Sequence, residues 1–429
     1  MNNESGGRTG VFVVLLGAGI VVATLVVGAA LAPDIGVSAA SFGGAAPENQ
    51  TLVGSQGGGP GLHSYGSVYL VSNDTVSWRL SDSNSYFDVT RLRDGRILAV
   101  FADGGYDDCG PYAAPCSRTG YRIVDPEHEG GPATVEEWSF PVRTVRNSEV
   151  HDVEPLDSGE MLVADMEHER VFTVRDGEVT WQWNASSYYD APADPTKVDW
   201  LHINDVDVIG ENRYLVSVRN ANQLLVVERG SGVVDVINED TDGDGTGDPT
   251  LLRHQHNPQW LGEGAVLVAD SGNHRIVELH ENESGVWEVA WTVESASGVD
   301  LLWPRDADRL PNGNTLVTDS ANRRILEVNR TGSAIWSRET DYIPYEADRL
   351  PVGELVGAPR SDGSEIVATG TIDVPVVSPL LTTLRSSYPL PYWFTEGYLV
   401  SILFGLGTMG VGVGLFVRDV VSWSPRRRE

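Results

Sequence analysis

Four of the nine histidines in this 429-residue chain recur at one kind of place. His151, His202, His254 and His256 each stand at, or just before, the start of a short apolar stretch. Five residues after Asp165, Asp270 and Asp319 come Arg170, Arg275 and Arg324; where that arginine is missing, at Gln223, Arg219 lies just upstream. A neutral imidazole is a nucleophile and proton carrier near pH 7. A guanidinium fork matches the oxygens of a sulfate or phosphate group. Together they suit the transfer of an oxyanionic group. The competing expectation is that each repeat arginine pairs with the aspartate of its own repeat and serves the fold. His63, His128, His168, His274 and His280 read as surface or loop residues.

Two smaller clusters carry chemistry of their own. Asp240, Asp242, Asp244 and Asp248 alternate around Gly245 like the start of a calcium loop, although Leu251 takes the twelfth position, where such a loop has Glu. An acidic turn accounts for the same residues. Cys109 and Cys116 are the only cysteines, and a local disulfide between them suits an oxidising compartment.

The elements that position these residues are repeats. Asp88, Asp152, Asp205, Asn257, Asp306 and Glu346 begin six copies spaced by roughly 40–64 residues, the size of a four-stranded propeller unit. Within each copy, short alternating strands are separated by Gly, Asn and Asp turns. Trp138, Trp183, Trp291 and Trp336 mark the outer strands, with Val236 in the third copy. The sixth copy ends before its own outer strand, and the stretch around Trp78 has that strand's character. The expectation is an all-β, six-bladed β-propeller in which an N-terminal strand completes the last blade and protects the ring's edges. In such a blade the loop entering strand one and the loop between strands two and three share a face, so the histidines and arginines converge on one mouth of the channel.

Apolar runs bracket the propeller. Residues 11–32 and 397–417 are each long enough to cross a bilayer as a helix. Arg8 precedes the first run, and Arg418, Arg426, Arg427 and Arg428 follow the second, which puts both tails in the cytoplasm and the intervening chain outside. The first run reads as a membrane helix or signal anchor, with a cleaved signal peptide ending near Ala30-Leu31-Ala32 as the alternative. The resulting organisation is a cytoplasmic segment 1–10, a helix 11–32, a linker 33–62, an extracellular propeller 63–390, a helix 397–417 and a basic cytoplasmic tail 418–429. Glycosylation sequons at Asn49, Asn73, Asn184, Asn282 and Asn329 all fall between the runs. The net charge of −31 excludes nucleic acid as a partner. With Lys197 as its one lysine, so acidic a chain reads as halophilic and archaeal, because such self-repulsion needs salt to screen it.

The segment Trp200-Leu-His202-Ile-Asn204, with the strand through Arg219 and Gln223, resembles the W-x-H-x-N region of arylsulfotransferases. His256-Asn257-Pro, followed by Asp270 through Arg275, is similar to that family's next blade. The likeness covers roughly residues 80–350. It implies a six-bladed propeller that moves a sulfuryl group from an aryl sulfate to a phenol through a sulfohistidine, with no nucleotide donor and no required cofactor. It also implies that His202, His256, Asn257 and Arg275 hold the sulfuryl oxygens. Asn204, Arg219, Arg170 and Arg324 are further binding candidates from the residues themselves. The family's nucleophilic histidine belongs in the stretch Trp303–Arg309, which has none, so His151 or His256 would have to attack. The D-S-G-N-H-R-I and D-S-A-N-R-R-I stretches also look like NHL repeats, whose propellers bind ligands or proteins without turnover.

Overall fold

The computed structural model describes residues 4–32, 50–59, 62–362, 366–367, 374–387, 390–391 and 393–422. Residues 33–49 of the expected linker 33–62, with the sequon at Asn49, and Arg426, Arg427 and Arg428 of the basic tail, lie outside the described residues.

Period-two alternation puts one face of each strand against the next sheet, and the sheets stack radially. Six four-stranded antiparallel sheets result, one of them extended by a short parallel strand, Ile366–Val367. Their first strands are Ser85–Arg91, Val150–Pro155, Ile203–Gly210, His256–Gly262, Asp306–Arg309 and Ile343–Leu350. Each of these touches the next around the axis, and the sixth touches the first. The fold is a six-bladed β-propeller. Its core lies between blades, where one sheet's apolar face meets the next, as in the cluster of Leu162, Val171, Trp183, Val206, Val216 and Leu225. The repeat tryptophans stand on outer strands, with Trp183, Trp291 and Trp336 buried.

Closure involves more of the N-terminus than the single strand expected around Trp78. Three strands, β1 (Gln50–Gly57), β2 (Gly66–Ser72) and β3 (Thr75–Ser83), join Ile343–Leu350 to make the sixth blade. β1 pairs directly with that inner strand, Leu52 opposite Asp348 and Thr51 opposite Arg349. Residues 50–57, expected in the linker, are therefore a strand buried on both faces. Their Gly and Ser content imitates a linker because neighbours crowd them: a Cβ on Gly54 would meet the Phe87 carbonyl oxygen at 1.9 Å.

The remaining described helices form a separate unit. α1 (Glu4–Leu31) and α3 (Glu396–Ser422) each contain 23 residues apolar enough to cross a membrane, and α2 (Val377–Ser387) lies between them in sequence. α1 and α3 pack antiparallel through glycines. A Cβ on Gly17 would meet the Gly405 carbonyl oxygen at 2.5 Å, and one on Gly10 would meet Phe416 N at 2.8 Å. Such small-residue contacts are how apolar helices associate in lipid.

Candidate functional site

Five of the six inner strands begin with a register slip, and the sixth has Arg305 N bonding the Thr318 carbonyl that also faces Asp306. Such bulges re-aim side chains. The six residues placed there are Phe87, His151, Asn204, His256, Arg305 and Tyr345, one per blade, each immediately before the residue that opens its repeat. They converge. The His151 ring lies 4.6 Å from Phe87, 5.1 Å from Tyr345 and 5.8 Å from His202. His256 is 6.1 Å from Tyr345, over which the Arg305 guanidinium sits at 5.1 Å. Arg219 stacks on Trp303 at 5.8 Å, and Trp303 also approaches His256.

The three histidines thus meet at one channel mouth, and each is differently held. His202, in a left-handed backbone conformation, presents Nδ1 to Asp199 Oδ1 at 2.6 Å. Asp199 fixes that proton on Nδ1 and leaves the Nε2 lone pair for chemistry. His256 Nδ1 is bonded by Ser271 Oγ at 2.8 Å and the His254 carbonyl at 3.1 Å. Neither ring nitrogen of His151 has a partner among the described residues. Burial, reinforced by the charges of Arg219 and Arg305, lowers His202 to about 4 and holds His151 and His256 well below the usual imidazole value. All three are neutral at pH 7.

The cations are Arg219 and Arg305. Burial lowers both, Arg305 to about 10, and both stay charged at neutral pH. Arg305 donates to Gln56 Oε1 and Arg219 to Asn220 Oδ1, while the Nε of each, and the Tyr345 hydroxyl, have no partner among the described residues. The mouth is a cluster of idle donors around neutral imidazoles.

The repeat arginines are elsewhere. Arg170, Arg275 and Arg324 bond Asp165, Asp270 and Asp319 through Nε at 2.7, 2.7 and 2.6 Å. Asp270 also accepts from Arg253 N and Asn273, and Asp319 from Leu302 N and Asn322. The five-residue spacing therefore marks a clamp that pins the loop between strands two and three to the segment entering the blade. Arg275 also donates to the Thr250 and Leu251 carbonyls and lines a surface recess with Arg253 and Glu294. Asn257 donates to Glu346 and Asn204 to the Gln255 carbonyl, both beside the channel.

Sequence reasoning missed Arg305, which occupies the slot before Asp306 that His151 occupies before Asp152. It also placed His63 on the surface. That ring is largely buried at the mouth, bonding Ser85 Oγ at 2.9 Å, with Glu149 3.6 Å away. Burial lowers His63 to about 4 and raises Glu149 to about 8, so the pair is neutral at pH 7.

Asp240, Asp242 and Asp244 gather ligand oxygens within 4.8 Å of one another on an exposed loop, where Asp240 already accepts from Gly243 N and Gly245 N. Asp248 turns away to Thr250. Cys109 and Cys116 form a disulfide with a Cα–Cα distance of 5.6 Å.

A β-propeller with a histidine- and arginine-lined mouth is the class these features define. No protein-family model matches the chain, an arylsulfotransferase one included, and no curated protein matches it in sequence. Solved structures similar in fold include a protein of unknown function from Bacteroides caccae, 14% identical with a TM-score of 0.49, covering 70% of this chain and 98% of that one. The periplasmic gluconolactonase PpgL of Pseudomonas aeruginosa is 13% identical with a TM-score of 0.42, covering 70% and 98%. Virginiamycin B lyase from Staphylococcus aureus is 10% identical with a TM-score of 0.38, covering 65% and 82%. The likeness concerns architecture, and no activity is carried over from it.

Proposed function

We propose that the channel mouth transfers a sulfuryl group from an aryl sulfate to a phenol, with His202 as the nucleophile. The observation that carries this reading is the pair Arg219 and Arg305, neither in an ion pair among the described residues, set beside a neutral imidazole that Asp199 orients. In the first half, His202 Nε2 forms an N–S bond as the bond from sulfur to the phenolic oxygen breaks. Arg305 and the Tyr345 hydroxyl face the charge that develops on the departing oxygen, and Arg219 grips the sulfuryl oxygens. Asp199 offsets the positive charge on the sulfated ring. In the second half the acceptor oxygen attacks sulfur, the N–S bond breaks, and the acceptor's proton passes to the departed phenolate. Arg275, tied to Asp270, supports the loop rather than the reaction.

The test is turnover of a chromogenic aryl sulfate with a phenolic acceptor, in high salt because of the −31 charge. His202→Ala should abolish product while leaving the fold intact, and acid-labile sulfate should be trapped on His202 in the parent. Full activity in that variant rejects the mechanism. A binding propeller without turnover is the second reading; the burial of His151 at 6% exposure and His256 at 4% favours it. Aryl sulfate binding with no product would select it.

The same reading places the protein in a cell membrane with the propeller outside. The antiparallel pairing of α1 and α3 brings their outer ends to one side, and Arg8 and Arg418 near those ends support a cytoplasmic assignment for it. The exposed loop at Asp240, Asp242 and Asp244 is proposed as a calcium ligand set, tested by calcium titration with and without Asp242→Asn.

A further inference from the structure

Beneath the mouth, the inner strands carry two levels of carboxylates. Asp88, Asp152, Asp205, Asp306 and Glu346 stand at the first, with Asn257 in the sixth place. Two residues further along their strands, and so on the same face, come Glu154, Asp207, Asp308 and Asp348. Buried acids are ordinarily paired. Here the fully buried ion pairs, Arg309–Glu278 and Arg324–Asp319, involve other carboxylates.

Three first-level acids are used to join blades. Asp88 Oδ2 accepts from Val153 N, Asp152 Oδ2 from Val206 N and Asp306 Oδ2 from Ala347 N, at 3.3, 2.7 and 3.0 Å. In each case the donor is the residue after the next blade's repeat-opening residue. At Asp205 the pattern breaks, because the residue after Asn257 is Pro258, which has no N–H. Asp205 Oδ2 accordingly has no donor among the described residues, and neither do Asp207 Oδ2 and Asn257 Oδ1. Both aspartates are 5% exposed. Burial raises both well above the usual carboxylate range, the charges of Asp152, Glu354 and Glu154 add to it at Asp205 and those of Glu154 and Asp152 at Asp207, and Glu354 also hydrogen-bonds Asp207.

We propose that the channel between the third and fourth blades binds a hydrated divalent cation through Asp205, Asp207 and Asn257. The donors are all oxygen, which selects a hard cation such as Mg²⁺ or Ca²⁺. Among the described residues, the one set of three or more carboxylates with ligand oxygens within 4.8 Å of one another is the Asp240 loop. A channel cation therefore keeps much of its own water and is gripped through it, the habit of Mg²⁺. Mn²⁺, with similar ligand preferences, is a usable probe. This inference does not rest on the sulfuryl-transfer reading.

The test uses the full chain in detergent, stripped with EDTA, carrying Asp240→Asn, Asp242→Asn and Asp244→Asn to silence the exposed loop. Molar KCl screens diffuse binding to the acidic surface. About one equivalent of Mn²⁺ should be retained, displaced by Mg²⁺, and visible by anomalous scattering between the third and fourth blades. Adding Asp205→Asn and Asp207→Asn should cut Mn²⁺ affinity at least tenfold while the metal-free melting midpoint holds or rises, since like charges have been removed. Should that variant not fold, Asn257→Leu is read by the same Mn²⁺ count. Retention of no Mn²⁺ by the loop-silenced chain, an anomalous peak elsewhere, or undiminished binding in the channel variants overturns the proposal.

Discussion

Burying a guanidinium with no carboxylate in ion-pair contact is costly, and among the described residues the mouth holds two, Arg219 being offset only by the longer-range charge of Asp199. Arg219 and Arg305 each leave Nε unbonded, so an anion arriving there completes hydrogen bonds that the protein itself does not make. Charged hydrogen bonds contribute about 1.5–3 kcal/mol, so Arg305→Met should weaken binding of a non-reactive aryl sulfonate about 10–100-fold by calorimetry. Arg275→Met should instead lower the melting midpoint and leave that affinity within about twofold, because its fork is committed to Asp270. A second consequence concerns pH. His202 titrates near 4 in the folded chain and near 6.5 when unfolded, so between those values the unfolded chain takes up a proton that the native ring refuses. Stability from this residue is complete above pH 6.5 and falls as pH drops toward 4, by about 1.4 kcal/mol per unit. Urea midpoints measured across this window should show His202→Gln less acid-sensitive than the parent; equal slopes would refute the assignment. His151 and His256 were legible in the sequence because the repeat frame aligns them, and His202 because it stands two residues ahead of the same slot. Arg305 stands in the same frame, but a search for histidine passes over it. His63 precedes the first copy and had no frame to be read in.

Blades are joined by a second device, which repeats less obviously. Arg309, on an inner strand, reaches Glu278 of the preceding blade at 2.8 Å and lies 4.6 Å from the Trp291 ring centre. Arg349 repeats the arrangement with Glu327 at 3.0 Å and Trp336 at 4.7 Å. Trp291 and Trp336 are thus more than apolar fill: each covers an ion pair that crosses between blades. Removing one partner of a buried pair strands the other charge, and Arg309→Ala should cost about 3–5 kcal/mol in denaturant unfolding. A loss below about 1 kcal/mol would show the pair is wet. Closure should be as sensitive, with Leu52→Ala in β1 costing about 2–5 kcal/mol as a cavity in a fully buried site. Blade number, strand order and the tryptophan positions could be read from the sequence, since turn residues and period-two alternation recur with each copy. The role of β1 could not. Its glycines satisfy close approach to a neighbouring strand, and composition cannot distinguish that from a flexible tether.

At the scale of the whole molecule, the two long apolar helices predict an integral membrane protein: the chain should stay with membranes through carbonate extraction and partition into detergent, and release by carbonate would refute this. The proposed outward orientation makes a separate prediction. Protease added to intact cells should degrade the segment between the helices, whereas full protection would reverse the topology. The join between the ends of the propeller also sets a schedule. Ser55 is bonded to the Ile343 carbonyl across 288 residues, so β1 cannot find its partner strand until the ribosome has made nearly the entire ring. At about 5–20 residues per second that is a wait of roughly 15–60 s. Until then, any sheet that the first three strands make has a bare edge where Ile343–Leu350 belongs. Whatever shelters that edge while the rest of the chain is still being made is as much a requirement for this fold as any contact in the finished ring.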